Sequence, residues 1–317
     1  MEQRKWEDLD KDCLVKVFEK VDMESLLLDI PFVCKSWHKE TLNPSCWNSL
    51  IFPDFEPEFP YVERDYPIFD RFVSEFGLDR DHFSVTAFIK FVVNRSQGNA
   101  VSLKLPGCSS LEAFEYVTDE CPNIMFFGLP RCLLWEDDID LELIGKFKNL
   151  FMLALGSCTY LDRVLAVVSK HCKLFSHLIL SNAQIGKEEA TAIVNLIPDI
   201  KLLRLNDAQI DRDNLIILLQ GCKELVMLEA KDCIGFDEGD DEIAKLASHI
   251  KSFHCEGSKE RFEHPFNMSS FYQFISSLTK DQVKEIGSMF AEIDAEAEVD
   301  GEGEGEGEVD IEDRVEP

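Results

Sequence analysis

The chain has 317 residues, 45% hydrophobic and 29% charged, with a formal net charge of −29 at pH 7. Thirteen acidic residues against the single base Arg314 fall between 292 and 317, and the remainder is acidic as well. Phosphate surfaces are bound by clustered Lys and Arg, so this balance argues against nucleic acid and against anionic membranes as partners. No run approaches the ~18 apolar residues of a membrane span; the best, 88–93, is interrupted by Lys90. The first six residues are charged and lack the apolar core of a secretory signal, so cytoplasm, nucleus or both is the expected address.

Residues 1–50 form an apolar segment with its own pattern. Trp6-Glu7-Asp8-Leu9 opens a stretch in which Leu14, Val17, Phe18 and Val21 share one helical face. A second run, Leu26-Leu27-Leu28 and Ile30, leads into Val33-Cys34-Lys35-x-Trp37, and Pro44-Ser45-Cys46-Trp47 closes the segment. About 50 residues are few for an independent core, and this segment carries more large apolar side chains than it can bury alone. A partner surface is therefore expected here. Residues 51–80 are dense in Pro and aromatics, which predicts an irregular connector packed on its neighbours. Residues 85–93 read as a helix that caps the core of the segment after it.

From Ala100 onward one pattern recurs: apolar-x-x-apolar-x-apolar-x-x-Cys or small. Its starts are Ala100, Ile124, Leu150, Phe175, Ile200, Leu225 and Ile250, 24 to 26 residues apart. That spacing lies inside the ~20–29 residues of leucine-rich repeats. Each unit is predicted to give a period-two strand and a returning helix, as 161–172 shows with Leu161, Val164, Leu165, Val168 and Cys172 on one face. Ser109, Ser110 and Asp162 stand where helix starts need acceptors for free amides. A solenoid buries each unit only against its neighbours and leaves a long surface free, so the chain is read first as a binder. The residue between the second and third apolar sites points to the concave side, which nominates Lys104, Gly128, Ala154, Ile179, Arg204, Glu229 and His254 as a substrate row.

Eleven cysteines, an odd count, sit at repeat positions rather than in loops. Cys108, Cys132, Cys158 and Cys233 follow strands, while Cys121, Cys172 and Cys222 precede them, which predicts buried free thiols in a reducing compartment. His249, His254, Cys255 and His264 are close in sequence, but Cys255 faces inward where His254 faces outward, so no shared metal is expected. Cys172 lies on a buried helical face beside His171, where burial raises a thiol pKa, so it is not read as a nucleophile. Two short helices, the second opened by Thr279 and Gln282 in capping-box spacing, are expected to close the solenoid over 261–290. The Gly-Glu run beyond predicts disorder for 291–317.

In their order, Leu9, Leu14, Val17-Phe18, Leu26-Leu27-Leu28, Val33-Cys34-Lys35-x-Trp37 and Trp47 resemble an F-box. The family usually has Pro where this chain has Asp10 and Leu where it has Cys13. Joined to Cys-type repeats, the chain over about residues 4–260 resembles the F-box/LRR-repeat proteins, most closely the short plant kind. The expected architecture is α/β: a leucine-rich-repeat horseshoe preceded by a small all-helical F-box. Its boundaries are 1–50 for the F-box, 51–98 for connector and cap, 99–260 for repeats, 261–290 for a helical cap and 291–317 for an acidic tail. The resemblance implies a non-catalytic substrate receptor of an SCF-type ubiquitin ligase, needing no cofactor. Leu9, Leu14, Val17, Phe18, Leu27, Val33, Cys34, Trp37 and Trp47 would then bind a Skp1-like adaptor, and through it a cullin. The repeats would hold an unknown protein substrate. Repeats followed by an acidic tail also resemble histone-binding acidic nuclear proteins, which lack an F-box and carry longer tails.

Overall fold

A leucine or phenylalanine at the centre of each strand organises the fold. The computed structural model describes residues 9–52, 67–181 and 183–260. In chain order its strands are β1 (Ser49–Ile51), β2 (Ser102–Lys104), β3 (Phe126–Leu129), β4 (Met152–Leu155), β5 (His177–Leu180), β6 (Gln184–Ile185), β7 (Leu202–Arg204), β8 (Gln209–Ile210), β9 (Met227–Glu229) and β10 (Ser252–His254). Eight of them make one parallel sheet in the order β1-β2-β3-β4-β5-β7-β9-β10, and β6 pairs with β8 separately. Leu50, Leu103, Phe127, Leu153, Leu178, Leu203 and Leu228 stand opposite one another across the sheet and are fully buried. Phe253 ends that row half-buried. Because side chains alternate along a strand, this single row fixes the register of every pair. The chain is an α/β solenoid of leucine-rich repeats.

All seven repeat starts precede a strand, but the sheet begins earlier than the repeat pattern. β1 joins the edge through Val101 and Ser102, whose amides donate to the Asn48 carbonyl at 2.8 and 3.1 Å, and through Phe52, which donates to Lys104 at 3.1 Å.

The helices explain themselves locally. α1 (Lys11–Phe18) is capped by Asp10, which accepts from the Asp12 amide at 2.9 Å, so the residue that departs from the family's Pro serves as an N-cap. α2 (Met23–Leu28) is capped by Asp22, which accepts from the Ser25 amide. α3 (Lys35–Thr41) comes next, and a 3-10 turn at Pro44–Trp47 delivers the chain to β1. α4 (Pro67–Glu75) replaces part of the expected irregular connector. Pro67 is its first residue, where the missing amide costs nothing, and Ile68, Phe69, Phe72 and Val73 are its buried face. α5 (Val85–Ser96) covers the first repeat with Phe88, Ile89, Val92 and Val93.

α6 (Leu111–Glu120) is capped by Ser110, whose hydroxyl accepts from Ala113 at 3.2 Å. The other two expected caps differ. Ser109 donates to the Pro106 carbonyl, and Asp162 lies inside the first turn of α8 (Leu161–His171), after Tyr160 at φ 57°. Before α8, the third strand is followed only by α7 (Arg131–Leu134) and a 3-10 segment, Leu141–Lys146. α9 (Lys187–Leu196), α10 (Arg212–Gly221) and α11 (Asp241–Leu246) complete the returning layer. Leu161, Val164, Leu165, Val168 and Cys172 are buried as the periodicity predicts, as are Leu215, Leu218, Leu219 and Cys222. Trp6, the stretch 261–290 expected as a helical cap and the acidic stretch 291–317 lie outside the described residues.

Candidate functional site

The amino-terminal helices sort their apolar residues into an interior and a surface. Leu14, Phe18 and Leu27 are buried, and so is Trp47, whose indole N–H donates to the Thr41 carbonyl at 2.7 Å. Leu9, Cys34 and Trp37 are half-buried, with the Trp37 ring meeting Phe18 edge-on at 5.5 Å. The Trp37 N–H is enclosed with no acceptor among the described residues. Val17 and Val33 are exposed, Val33 to 56%. The nine residues named from sequence are thus not one contact surface. Four hold the segment together, and the rest reach its surface wholly or in part.

The surplus of apolar side chains is also smaller than the segment's length alone implies. The segment packs on β1, α4 and α5, and Arg95 of α5 lies 5.9 Å from the Trp47 ring centroid. Arg71 of α4 reaches back to Glu24, to the Leu28 carbonyl at 3.2 Å and to Asp29. Its guanidinium holds the Asp29 carboxyl below the usual carboxylate range. Sequence reasoning missed exposed Phe32 and Leu42, which flank the Val-Cys-Lys-x-Trp run. Their signal was weak, because apolar residues in such short helical turns are mostly buried.

The second surface is the open face of the sheet. Lys104, Gly128, Ala154, Ile179, Arg204, Glu229 and His254 lie in strict register from β2 to β10, and Ile51 extends the row to β1. A second row two residues earlier shares this face by the alternation of strands: Ser102, Phe126, Met152, His177, Leu202, Met227 and Ser252. These seven are half-buried. Sequence reasoning left them out, although the same period-two alternation identifies them. Together the rows put Phe126, Met152, Ala154, Ile179, Leu202 and Met227 in the middle of a face on the order of 34 Å long, from eight strands at ~4.8 Å spacing.

Its charges are largely paired with each other. Arg204 bonds Glu229 and holds that carboxyl below the usual range. His254 joins the Ser252 hydroxyl at 2.9 Å to Glu256 at 3.2 Å, and Lys231 stands 3.7 Å from Glu256. Beside them Phe151 meets the His177 ring at 4.2 Å, and partial burial lowers the His177 pKa. Gly128 lies beneath the Lys104 stem, where an added Cβ would come within 2.5 Å of its Cγ. The small residue makes that overlap feasible.

The remaining chemistry-bearing groups stay apart. Burial pushes the Cys172 thiol up to about 11, and its neighbour His171 faces Glu142 at 3.7 Å. Cys255 is half-buried with its sulfur 3.8 Å from the Glu238 carbonyl, away from the His254 contacts. His264 lies outside the described residues. Among the described residues no helix is long and apolar enough to cross a membrane.

No protein-family model matches the chain. Curated relatives do. F-box protein FBW2 of Arabidopsis thaliana is 23% identical over 240 residues, covering 73% of this chain and 69% of the relative. An F-box/LRR-repeat protein of the same plant is 25% identical over 231 residues, 71% of each chain. Its putative F-box/LRR-repeat protein 23 is 20% identical over 264 residues, 81% of this chain and 54% of that one. Among solved structures, internalin C2 of Listeria monocytogenes overlaps 61% of this chain and 84% of its own, with a TM-score of 0.32 and 11% identity. That overlap is too slight to carry argument.

Proposed function

The chain is of the F-box/LRR-repeat kind, and from that premise we propose that it is the substrate-recognition subunit of an SCF-type E3 ubiquitin ligase. The observation that carries the reading is the likeness to plant F-box proteins over about three quarters of the chain. In this reading Val17 and Val33, with the half-buried Leu9, Cys34 and Trp37, meet a Skp1-like adaptor and through it a cullin. Leu14, Phe18, Leu27 and Trp47 hold that face in shape. The open sheet face receives the protein to be ubiquitinated, its apolar middle supplying contact area and its paired charges the rim. The receptor itself makes no covalent chemistry and works in the cytoplasm, the nucleus or both.

The test is affinity purification of the full chain from cells whose cullin is held inactive, so that substrate stays bound. The adaptor and the cullin are expected among the captured proteins, and a Val17→Asp/Val33→Asp variant should lose both. An Ile179→Glu variant should keep them and lose the substrate. A parent chain that captures neither adaptor nor cullin sinks the reading.

A further inference from the structure

An aromatic run leads out of the interior at the junction of the amino-terminal helices and α4. Phe88 and Phe72, both buried, meet at 4.8 Å; Phe72 meets Phe76 at 4.6 Å; and Phe76 meets Phe32 at 6.2 Å. Exposure rises along it, from 8% at Phe72 to 47% at Phe76 and 59% at Phe32. Leu78 beside Phe76 and Val33 beside Phe32 are exposed as well. Contiguous apolar surface of this kind marks a contact site more strongly than scattered single residues do.

The surface is held ready rather than loose. Arg71 ties α4 to Glu24, the Leu28 carbonyl and Asp29, on the stretch of chain that leads into Phe32. Two residues past α4, Gly77 takes a φ of +59° and closes the helix with a left-handed turn: the Leu78 amide donates to the Val73 carbonyl at 2.9 Å and the Gly77 amide to the Ser74 carbonyl at 3.2 Å. This closure fixes the backbone of Leu78 on the last turn of α4, at the Val73 carbonyl.

We propose that the adaptor-binding surface does not stop at the F-box but continues onto the end of α4, with Phe76 and Leu78 as contact residues. Continuity identifies the occupant: Phe32 is the exposed chain neighbour of the exposed Val33, so a partner seated on Val33 is within reach of Phe32 and, through its contact, of Phe76. The proposal rests on the adaptor reading of the amino-terminal helices. It implies that an excised segment 1–50 binds the adaptor more weakly than the full chain does.

The test is calorimetric titration of the purified full chain with a Skp1-like adaptor. The Phe76→Ala/Leu78→Ala variant should bind about tenfold more weakly or worse, the size expected when anchor residues are truncated. Its melting temperature should stay near that of the parent. Hydrogen exchange on the unaltered complex provides a readout that needs no variant: amides over 74–80 should slow on adaptor binding along with those over 30–38. Protection at 30–38 without protection at 74–80, or a variant that folds and binds as the parent does, overturns the proposal and leaves the adaptor reading standing. A parent chain that does not bind the adaptor removes both. If the full chain alone sediments as a dimer that the variant dissociates, with adaptor affinity unchanged, the surface is a self-contact and the proposal is wrong.

Discussion

Trp47 and Val33 are both large apolar residues of the same segment, and they should respond to substitution in opposite ways. Trp47 is buried and its indole N–H is the donor to the Thr41 carbonyl. Replacing it by Phe keeps most of the packing but leaves a buried carbonyl without its donor, at a cost of about 1–3 kcal/mol. Phe18→Ala removes a buried ring and should cost about 3–5 kcal/mol. Val33→Asp changes an exposed side chain, and surface substitutions usually stay within about 0.5 kcal/mol. Urea unfolding of the three variants should therefore rank Phe18→Ala worst and Val33→Asp near the parent, while adaptor binding in the cold ranks Val33→Asp worst among the folded proteins. A Val33→Asp protein that unfolds as readily as Trp47→Phe would contradict the partition between interior and surface.

At the scale of elements, two glycines with positive φ separate strain from collision. Gly77 closes α4 at φ +59°, and an added Cβ there would meet nothing within 4 Å. Gly235 sits at φ +124° in the turn after β9, and its Cβ would come within 2.5 Å of the Ile210 carbonyl oxygen. Its own groups are engaged too: its amide donates to Lys259 and its carbonyl accepts from Arg212, at 3.0 and 2.9 Å. Gly77→Ala should then cost only the left-handed backbone, about 1–2 kcal/mol. Gly235→Ala adds a clash with rigid backbone and should cost about 3 kcal/mol or more. Equal shifts in the denaturation midpoint would show that the two turns are not held as described.

The same scale shows why some elements were legible and others were not. The seven repeat strands stood out because identical packing demands recur every 24 to 26 residues. β1 makes the same contacts with Leu50, yet it lies 53 residues before Leu103 in the chain and shares no period with it. α4 was hidden by the prolines around it, since Pro67 starts the helix instead of breaking it. In the amino-terminal segment, spacing identified apolar residues but not their direction. Helices of six to eight residues bury several faces at once, and only the packing of α1 against α3 and the Pro44–Trp47 turn decides that Phe18 points in and Val17 out.

Across the whole molecule, stacked repeats put the same residue types into the same dry positions, and thiols are among them. Burial pushes Cys46, Cys172, Cys222 and Cys233 up to about 11 and Cys121 up to about 12. An unfolded chain ionises these thiols near ~8.5. Below that pH both states hold the proton, so the stability linked to the neutral thiols is fully present. Above it the unfolded chain gives up protons that the folded one keeps, and stability falls with rising pH until the folded thiols titrate as well. The melting temperature should be nearly level from about pH 7 to 8 and fall steadily from about pH 9 to 11. Surface ion pairs also weaken at alkaline pH, but they are exposed and contribute little. Cys121→Ala provides the internal control. It lowers stability at every pH by opening a small cavity, yet it removes one titrating group, so its curve should descend less steeply than the parent's over the alkaline window. A Cys121→Ala curve parallel to the parent's there would mean that the thiol is not held neutral by burial, and the dry interior inferred for the repeats would be wrong at that position.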